Sequence, residues 1–548
     1  MSILDLYKDQ TEVPSLSKDA DLRASRKENI DKVKNTQRFD VVIAGGGIQG
    51  AMFARLAALN GLKTLLLEIN DYASGTSSKT SKMAHGGLRY LEYFDFKQVL
   101  EGVKAREEFF QTAPHLVRPN EFLIPIYEGE FFKKFKLGLG LTFYDFFLRD
   151  KQFKHQWISA TPEMSALFSK NKKLLGYFRF YDGIMHDTRL VIENVYAARQ
   201  EGAICLNYAR VDSVYQDKIE TEIAWTDTLS GEKYVCRTGI VVNTAGAWAP
   251  TMGRIKSGKL AQEVRFSQGT HLLFDKKWEH PALLIPLPGK GRNYFVWPHY
   301  AGTMVGTTEK ELNAPNFDPV PTSEEVKEIL SRIERDIPGA GLGKENLFYS
   351  FAGIRTLPSS GKANQTFKLS RKHSWSFSQG MLTLIGGKFT TAAWTALEGL
   401  NLLYKFAGIK RNVVSFAKRL MPGAYQYKAE TENFTKACET KGVPQNVRQS
   451  CIRRLGARVR ILMDLDPDLK LIENSILEAD LKFALEYEQA ETISDIFCRR
   501  LDLEFAKGQG LEILNPVASY LMENYPGRDW SKQAQEYSMH VQRVYSLL

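Results

Sequence analysis

The sequence predicts an α/β protein of several parts: a Rossmann-type parallel sheet, a mainly antiparallel second sheet and an α-helical C-terminal domain. Three observations carry that reading. A β-branched run, Phe39-Asp40-Val41-Val42-Ile43, ends in glycines and passes into a helical stretch over 50–60 and a second strand over 62–68. Short strand-like pieces such as THLLFD, NYFVWP and GTMVGTTE, separated by turn residues, fill about 255–375. After Met421-Pro422-Gly423 the spacing turns helical and rich in Leu, Ala, Glu, Lys and Arg.

Positions 1–37 are polar, with mixed charge and no clear apolar period, and are expected to form a partly ordered leader. Positions 38–424 hold two interleaved domains, the second drawn mainly from 90–185 and 255–375, and 425–548 form the helical domain. Two or three domains suit a chain of 548 residues. Another βαβ-like stretch spans Leu190 to Ser213, a strand at Ile240-Val241-Val242 leads to Thr244-Ala245-Gly246, and Met381–Ile385 forms a last buried strand.

Composition excludes some classes. The chain is 43% hydrophobic and 25% charged, as folded proteins are. Its 73 Lys and Arg against 63 Asp and Glu give +10, which suits an anionic partner without choosing one. Five scattered cysteines without a C-x-x-C pair argue against a disulfide framework, and no metal centre is expected. The N-terminus lacks a basic start with an apolar run, and no stretch approaches the roughly 18 apolar residues of a membrane span. The expected location is therefore cytoplasmic, with any membrane contact peripheral.

The glycine loop carries the first chemistry. Gly45-x-Gly47-x-x-Gly50 follows a strand and opens a helix. The first glycine allows the tight turn, the second lets backbone approach a pyrophosphate, and the third permits close helix packing. Glu68 ends the second strand, placed to accept from a ribose hydroxyl. The motif predicts a dinucleotide without choosing between NAD and FAD; the acid disfavours NADP.

Further motifs are DVVIAGGGIQGA, GTSSKTSKMAHGGLRYLE, APHLVRP, HDTRLVIENV, NTAGAWA, GTHLLF, VGTTE, FAGIRTLP and IGGKFTT, then RRLGARVR and FCRRLDL. On these, the sequence from Arg38 onward resembles the FAD-dependent, respiratory, quinone-linked glycerol-3-phosphate dehydrogenase family. Gln49 and Glu309 depart from it, standing where Asn and Asp are usual. The resemblance implies a glutathione-reductase-like FAD-binding domain, an antiparallel substrate domain and a helical cap. It implies that Gly45, Gly47 and Gly50 hold the FAD pyrophosphate and Glu68 its ribose. Thr76, Ser77, Ser78, Lys82, His85, Gly86 and Gly87 would line the path toward the flavin. Val211 would sit near adenine, Ala245 and Gly246 near the ribityl chain, and Gly387, Lys388 and Thr390 against the isoalloxazine.

For substrate the resemblance implies Arg89, Tyr90, His271, Arg355, Arg371 and Lys388, with Arg371, Arg89 and Tyr90 on the phosphate. Guanidinium forks match phosphate oxygens, and such a cluster of cations is sensible only around an anion. The implied reaction takes sn-glycerol 3-phosphate to dihydroxyacetone phosphate, with hydride passing from C2 to flavin N5 and loss of the C2 hydroxyl proton. His271 and His85 both qualify as the base. Arg355 would hold the developing charge on oxygen, and Lys388 would face either the reduced cofactor or the phosphate. Two plainer readings stand beside these: His85 bonding backbone in a glycine turn, and Arg371 as a solvated surface cation.

Positions 131–150, FFKKFKLGLGLTFYDFFLRD, mix aromatics with Lys133, Lys134 and Lys136. They read either as an interfacial segment on the inner face of the cytoplasmic membrane or as a packed helix with a solvated lysine edge. The C-terminal helices are open to three roles: a homodimer contact, a cover over the substrate, or membrane docking. Rival functions are a glycerol-3-phosphate oxidase that reduces O2 to H2O2 and an amine or amino-acid oxidase of the same fold. A nucleic-acid-binding flavoprotein would suit the charge, but no motif supports it, so no nucleic-acid partner is expected.

Overall fold

A computed structural model of the chain describes residues 21–23, 25–88, 90, 95–148, 150–216, 220–252, 263–287, 292–316, 318–359, 373–410, 412–415 and 419–545. Its first sheet runs, strand beside strand, Ser374–Ser378, Met381–Ile385, Lys233–Asn243, Phe39–Ala44, Thr64–Leu67 and Ile204–Leu206. All neighbours after the first pair are parallel. A hairpin of Ala209–Gln216 and Thr221–Asp227 joins along Lys233–Asn243.

Alternation along the central strand shows why it reads as a continuous apolar run. Val41 and Ile43 face helices Ile48–Leu59, Asp187–Gln200 and Ala392–Phe406. Val42 and Ala44 face the other way, toward Trp225 of the hairpin and Ile30 and Val33 of helix Arg26–Asn35. A sheet covered on both faces needs no polar side. That last helix lies inside the stretch expected to be a leader. It begins at a capping box of Ser25 and Glu28 and offers only two large apolar side chains to the core, too few to show a period.

The second sheet runs Lys310–Leu312, Val264–Phe274, Gly302–Gly306, Arg292–His299, Ala282–Leu287, Val117–Tyr127, Leu174–Met185 and Met83–Ala84. Leu347–Pro358 pairs along the length of Val264–Phe274, and Gln156–Ser159 flanks Leu174–Met185. Only Ala282–Leu287 beside Val117–Tyr127 is parallel. Helix Ser323–Asp336 interrupts the region expected to be mainly antiparallel strands. Val326, Ile329 and Ile333 anchor it to the sheet. From Tyr427 on, helices pack around two cores of their own, and the five cysteines are free.

Candidate active site

One cavity of ≈ 670 Å3 lies between the two sheets and runs from the glycine loop to the strands of the second sheet. That size is typical of ligand and cofactor sites. Its nucleotide end is closed by backbone. Helix Ile48–Leu59 starts at Gly47 with no side-chain cap, so its first N–H groups face the cavity. A Cβ on Gly50 would lie 1.9 Å from Gly45 O, and one on Gly45 would lie 2.7 Å from Thr244 O. Strand, loop and helix therefore meet only because both positions are glycine. Ser77 Oγ accepts from Ile48 N at 3.0 Å.

Glu68 lies on the cavity wall, buried, and accepts from Gly46 N at 2.5 Å and Asn70 N at 2.9 Å. Burial pushes its carboxyl up from the usual range against the pull of those amides. An adenine dinucleotide fits this end: a helix N-terminus for pyrophosphate, an acid for ribose, and Val211 beside them. Ala245, Gly246, Gly387 and Thr390 continue the wall. Gln49 Nε2 donates to Lys388 O at 3.2 Å, so the residue that departs from the family pattern ties the glycine loop to the Gly387-Lys388 turn.

At the far end, His271 and Arg355 sit on the paired strands Val264–Phe274 and Leu347–Pro358. His271 is buried, its ring stacked 5.0 Å from Phe351, with Nε2 2.9 Å from Ser81 Oγ. Burial, then Arg355 and Lys82, hold its pKa well below the usual histidine value, so the ring is neutral at pH 7. Arg355 Nη2 donates to Thr307 Oγ1 at 2.9 Å and Nη1 to Thr308 O at 3.4 Å. Its guanidinium occupies the room left by Gly269, where a Cβ would come within 2.2 Å of Nη2. Lys388 Nζ lies 3.8 Å above the Tyr90 ring and donates to Gln98 Oε1 at 2.5 Å. His85 is exposed on the same wall, and its backbone N donates to Thr390 Oγ1 at 3.3 Å.

The cavity thus gathers Gly45, Gly47, Glu68, Thr76, Ser77, His85, Gly87, Tyr90, Val211, Ala245, Gly246, His271, Arg355, Gly387, Lys388 and Thr390. Three expected wall residues are placed behind it, which corrects the sequence reading. Lys82 Nζ bonds Asp187 Oδ1 at 2.7 Å and Ser78 O at 2.6 Å, so that a buried carboxylate claims the ammonium and Ser78 turns with it. Gly86 donates its N–H to Asp182 Oδ1 at 2.9 Å, and a Cβ there would meet Tyr144 Oη at 2.1 Å. Gly50 also lies off the wall, in the helix–strand contact. Arg89 and Arg371 lie outside the described residues. Sequence reasoning missed several charged wall residues, among them Arg292, which faces Glu309 at 3.4 Å, Glu309 as part of the wall, and Arg332, which donates to Thr307 O at 3.1 Å.

A Rossmann-type cofactor domain joined at one cavity to an antiparallel domain defines an FAD-dependent oxidoreductase, and residues 40–396, more than half the chain, match the FAD dependent oxidoreductase family. Residues 416–535 match the C-terminal domain of alpha-glycerophosphate oxidase. Among similar proteins, the glycerol-3-phosphate dehydrogenase of Synechocystis sp. is 30% identical over 549 residues, covering 94% of this chain and 98% of its own. The aerobic glycerol-3-phosphate dehydrogenase of Staphylococcus haemolyticus is 29% identical, covering 87% and 89%. The chain belongs to the FAD-dependent glycerol-3-phosphate dehydrogenase family, and FAD is its cofactor. The X-ray structure of the glycerol-3-phosphate dehydrogenase from Bacillus halodurans complexed with FAD shares the fold, with a TM-score of 0.77 at 22% identity over 95% of this chain and 98% of that one.

Proposed function

We propose that the protein oxidises sn-glycerol 3-phosphate to dihydroxyacetone phosphate and passes the electrons to membrane quinone. The observation that carries this reading is the meeting of a neutral buried histidine, His271, with the cations Arg355 and Lys388 at one end of the FAD cavity. Bound FAD supplies the acceptor, at N5, for the hydride that leaves C2. The chain's own residues supply the rest. Of the two candidate bases, His271 is favoured over the exposed His85 because it is buried and uncharged. His271, with its Nε2 2.9 Å from Ser81 Oγ, takes the C2 hydroxyl proton.

Arg355, oriented by Thr307 and Thr308, carries the charge that builds on the C2 oxygen. Lys388 and Tyr90 hold the phosphate, joined there by Arg89 and Arg371 on the strength of the family resemblance. The test is anaerobic: added glycerol 3-phosphate should bleach the flavin absorbance, while unphosphorylated glycerol should leave it unchanged. Bleaching by glycerol alone, or by neither, overturns the substrate assignment.

A second reading, oxidation with O2 to give H2O2, has the C-terminal match to alpha-glycerophosphate oxidase in its favour. Peroxide formed at one equivalent per turnover in air, without reduction of a quinone analogue, would establish it.

Helix Phe131–Phe146 supports the quinone reading. Leu141 and Tyr144 pack inward, whereas Phe131, Phe132 and Phe146 are 81%, 78% and 82% exposed, continued by Phe135 and Leu139. The outer edge is therefore mainly aromatic, with Lys136 exposed beside Phe135. Lys133 and Lys134 flank it, the former near Glu130 and the latter 3.5 Å above the Trp157 ring. No helix among the described residues is long and apolar enough to cross a membrane. The proposed contact is peripheral, on the inner face of the cytoplasmic membrane, with rings in the boundary and cations near acidic head groups. Phe131→Ser with Phe135→Ser should abolish co-sedimentation with acidic liposomes. Unchanged sedimentation removes this helix from membrane contact.

A further inference from the structure

The loop that follows the second strand of the parallel sheet, residues 68–79, forms one long wall of the cofactor cavity. Glu68, Ile69, Asn70, residues 73–77 and Lys79 all face the cavity. Asp71, Tyr72 and Ser78 do not, and Asp71 and Tyr72 point back into the C-terminal helices. Asp71 is buried and takes Arg500 in a fork, at 2.7 and 2.9 Å, while Arg499 Nε reaches it at 2.6 Å. Burial pushes its carboxyl up, but the two guanidinium groups outweigh that and hold it below the usual carboxylate range.

One residue on, Tyr72 Oη donates to Gln489 Oε1 at 2.8 Å. At the end of the loop, Lys79 Nζ reaches Glu504 Oε2 at 2.9 Å. Asn207 closes the set, donating from Nδ2 to both Asp71 Oδ1 at 3.0 Å and Gln489 O at 2.8 Å. The loop is thus fastened from behind at its start and its end. Of these side-chain partners all but Asn207 belong to the stretch 489–504, outside the FAD-binding fold, and they add to backbone bonds from within it, Tyr208 N to Asn70 O at 2.9 Å and Ala73 N to Gly46 O at 3.2 Å.

We propose that the C-terminal helical region is the clamp that keeps the 68–79 loop in its FAD-holding conformation, with Arg499, Arg500 and Gln489 as positioning residues acting through Asp71 and Tyr72. A paired, buried carboxylate has one low-energy arrangement, because rotating it away strands charge in a dry interior. Fixing Asp71 therefore fixes Glu68 and Asn70 beside it. The inference rests on the cofactor assignment alone and is independent of the substrate and acceptor proposed above, so either can fail without the other.

The test is the rate at which purified holoenzyme releases FAD on dilution, read from the rise in flavin fluorescence, well below the unfolding temperature. Arg500→Gln should speed release at least about tenfold, since removing one partner of a buried pair is strongly disruptive. Tyr72→Phe deletes one neutral hydrogen bond and should speed release about fivefold. Leu514→Ala, a cavity in the core that backs the clamp stretch at Ile496, Phe497 and Leu501 but that touches none of the polar contacts to the loop, should lower Tm yet leave release within about twofold of the parent. Arg500→Lys should restore part of the lost retention. Release at the parental rate from Arg500→Gln, or Leu514→Ala releasing as fast as Arg500→Gln, overturns the clamp. Where Arg500→Gln gives no folded protein, Tyr72→Phe decides alone, and parental release from it overturns the clamp.

Discussion

At the nucleotide end of the cavity, the groups that face a ligand come largely from main chain and from short stretches, chiefly 44–49 and 67–79 with Val211 and Ala245-Gly246 beside them. At the reaction end they come from strands and turns far apart in sequence: His271, Arg355, Lys388 and Tyr90. The first end is intolerant of volume, because Gly45 and Gly50 leave no room for a methyl group. The second is intolerant of charge change, because a neutral ring and two cations, Arg355 oriented by threonine oxygens, face one anionic substrate. A dinucleotide site is thus written into backbone geometry, and a reaction into side chains that the sheet brings together.

Four measurements would break or sharpen that contrast. Arg355→Ala should cut kcat/KM by about 100- to 1000-fold, as loss of an electrostatic donor does elsewhere, while FAD stays bound. Loss of FAD in that variant would show the two ends to be one structure. Gly50→Ala should do the reverse. Its methyl group has to displace Gly45 O, an overpacking that costs about 1–3 kcal/mol, so FAD affinity should fall about tenfold or more in a titration of apoprotein. Gln49→Asn shortens a side chain that bridges the ends, and losing its bond to Lys388 O should raise the FAD dissociation constant about fivefold, or ~1 kcal/mol.

The smallest effect is on pH dependence. Burial holds His271 and His299 neutral in the folded state, with pKa values well below that of an unfolded histidine, about 6.5. The unfolded chain therefore binds more protons below that pH, and stability should decline as pH falls through the slightly acid range. His271→Gln should flatten part of that decline in Tm, with little change above pH 7. A slope unaltered by the substitution would mean that the ring is already charged in the fold.

What was legible in the sequence follows the same contrast. The βαβ unit, its three glycines and Glu68 could be read because each job is local, and the structure places Ile48–Leu59 and Thr64–Leu67 within about two residues of expectation. Lys82 could not. Its pattern resembles a cofactor loop, but a carboxylate much farther along the chain, Asp187, takes its ammonium. Arg332 was missed along with the helix that carries it, Ser323–Asp336, in a region read only for strands. Its Thr322/Glu325 capping box was there to be seen. Arg292 carried no local signal, since only strand pairing brings it to Glu309. The clamp on Asp71 was equally silent, because FCRRLDL was legible only as a family motif and nothing local ties it to Asp71.

The row of phenylalanines along helix Phe131–Phe146 has a consequence for the purified enzyme in plain buffer. Benzyl groups held out in water at positions 131, 132, 135 and 146 will find one another when nothing else covers them. Concentrated samples should therefore self-associate reversibly, and a mild detergent should disperse them without loss of the yellow colour.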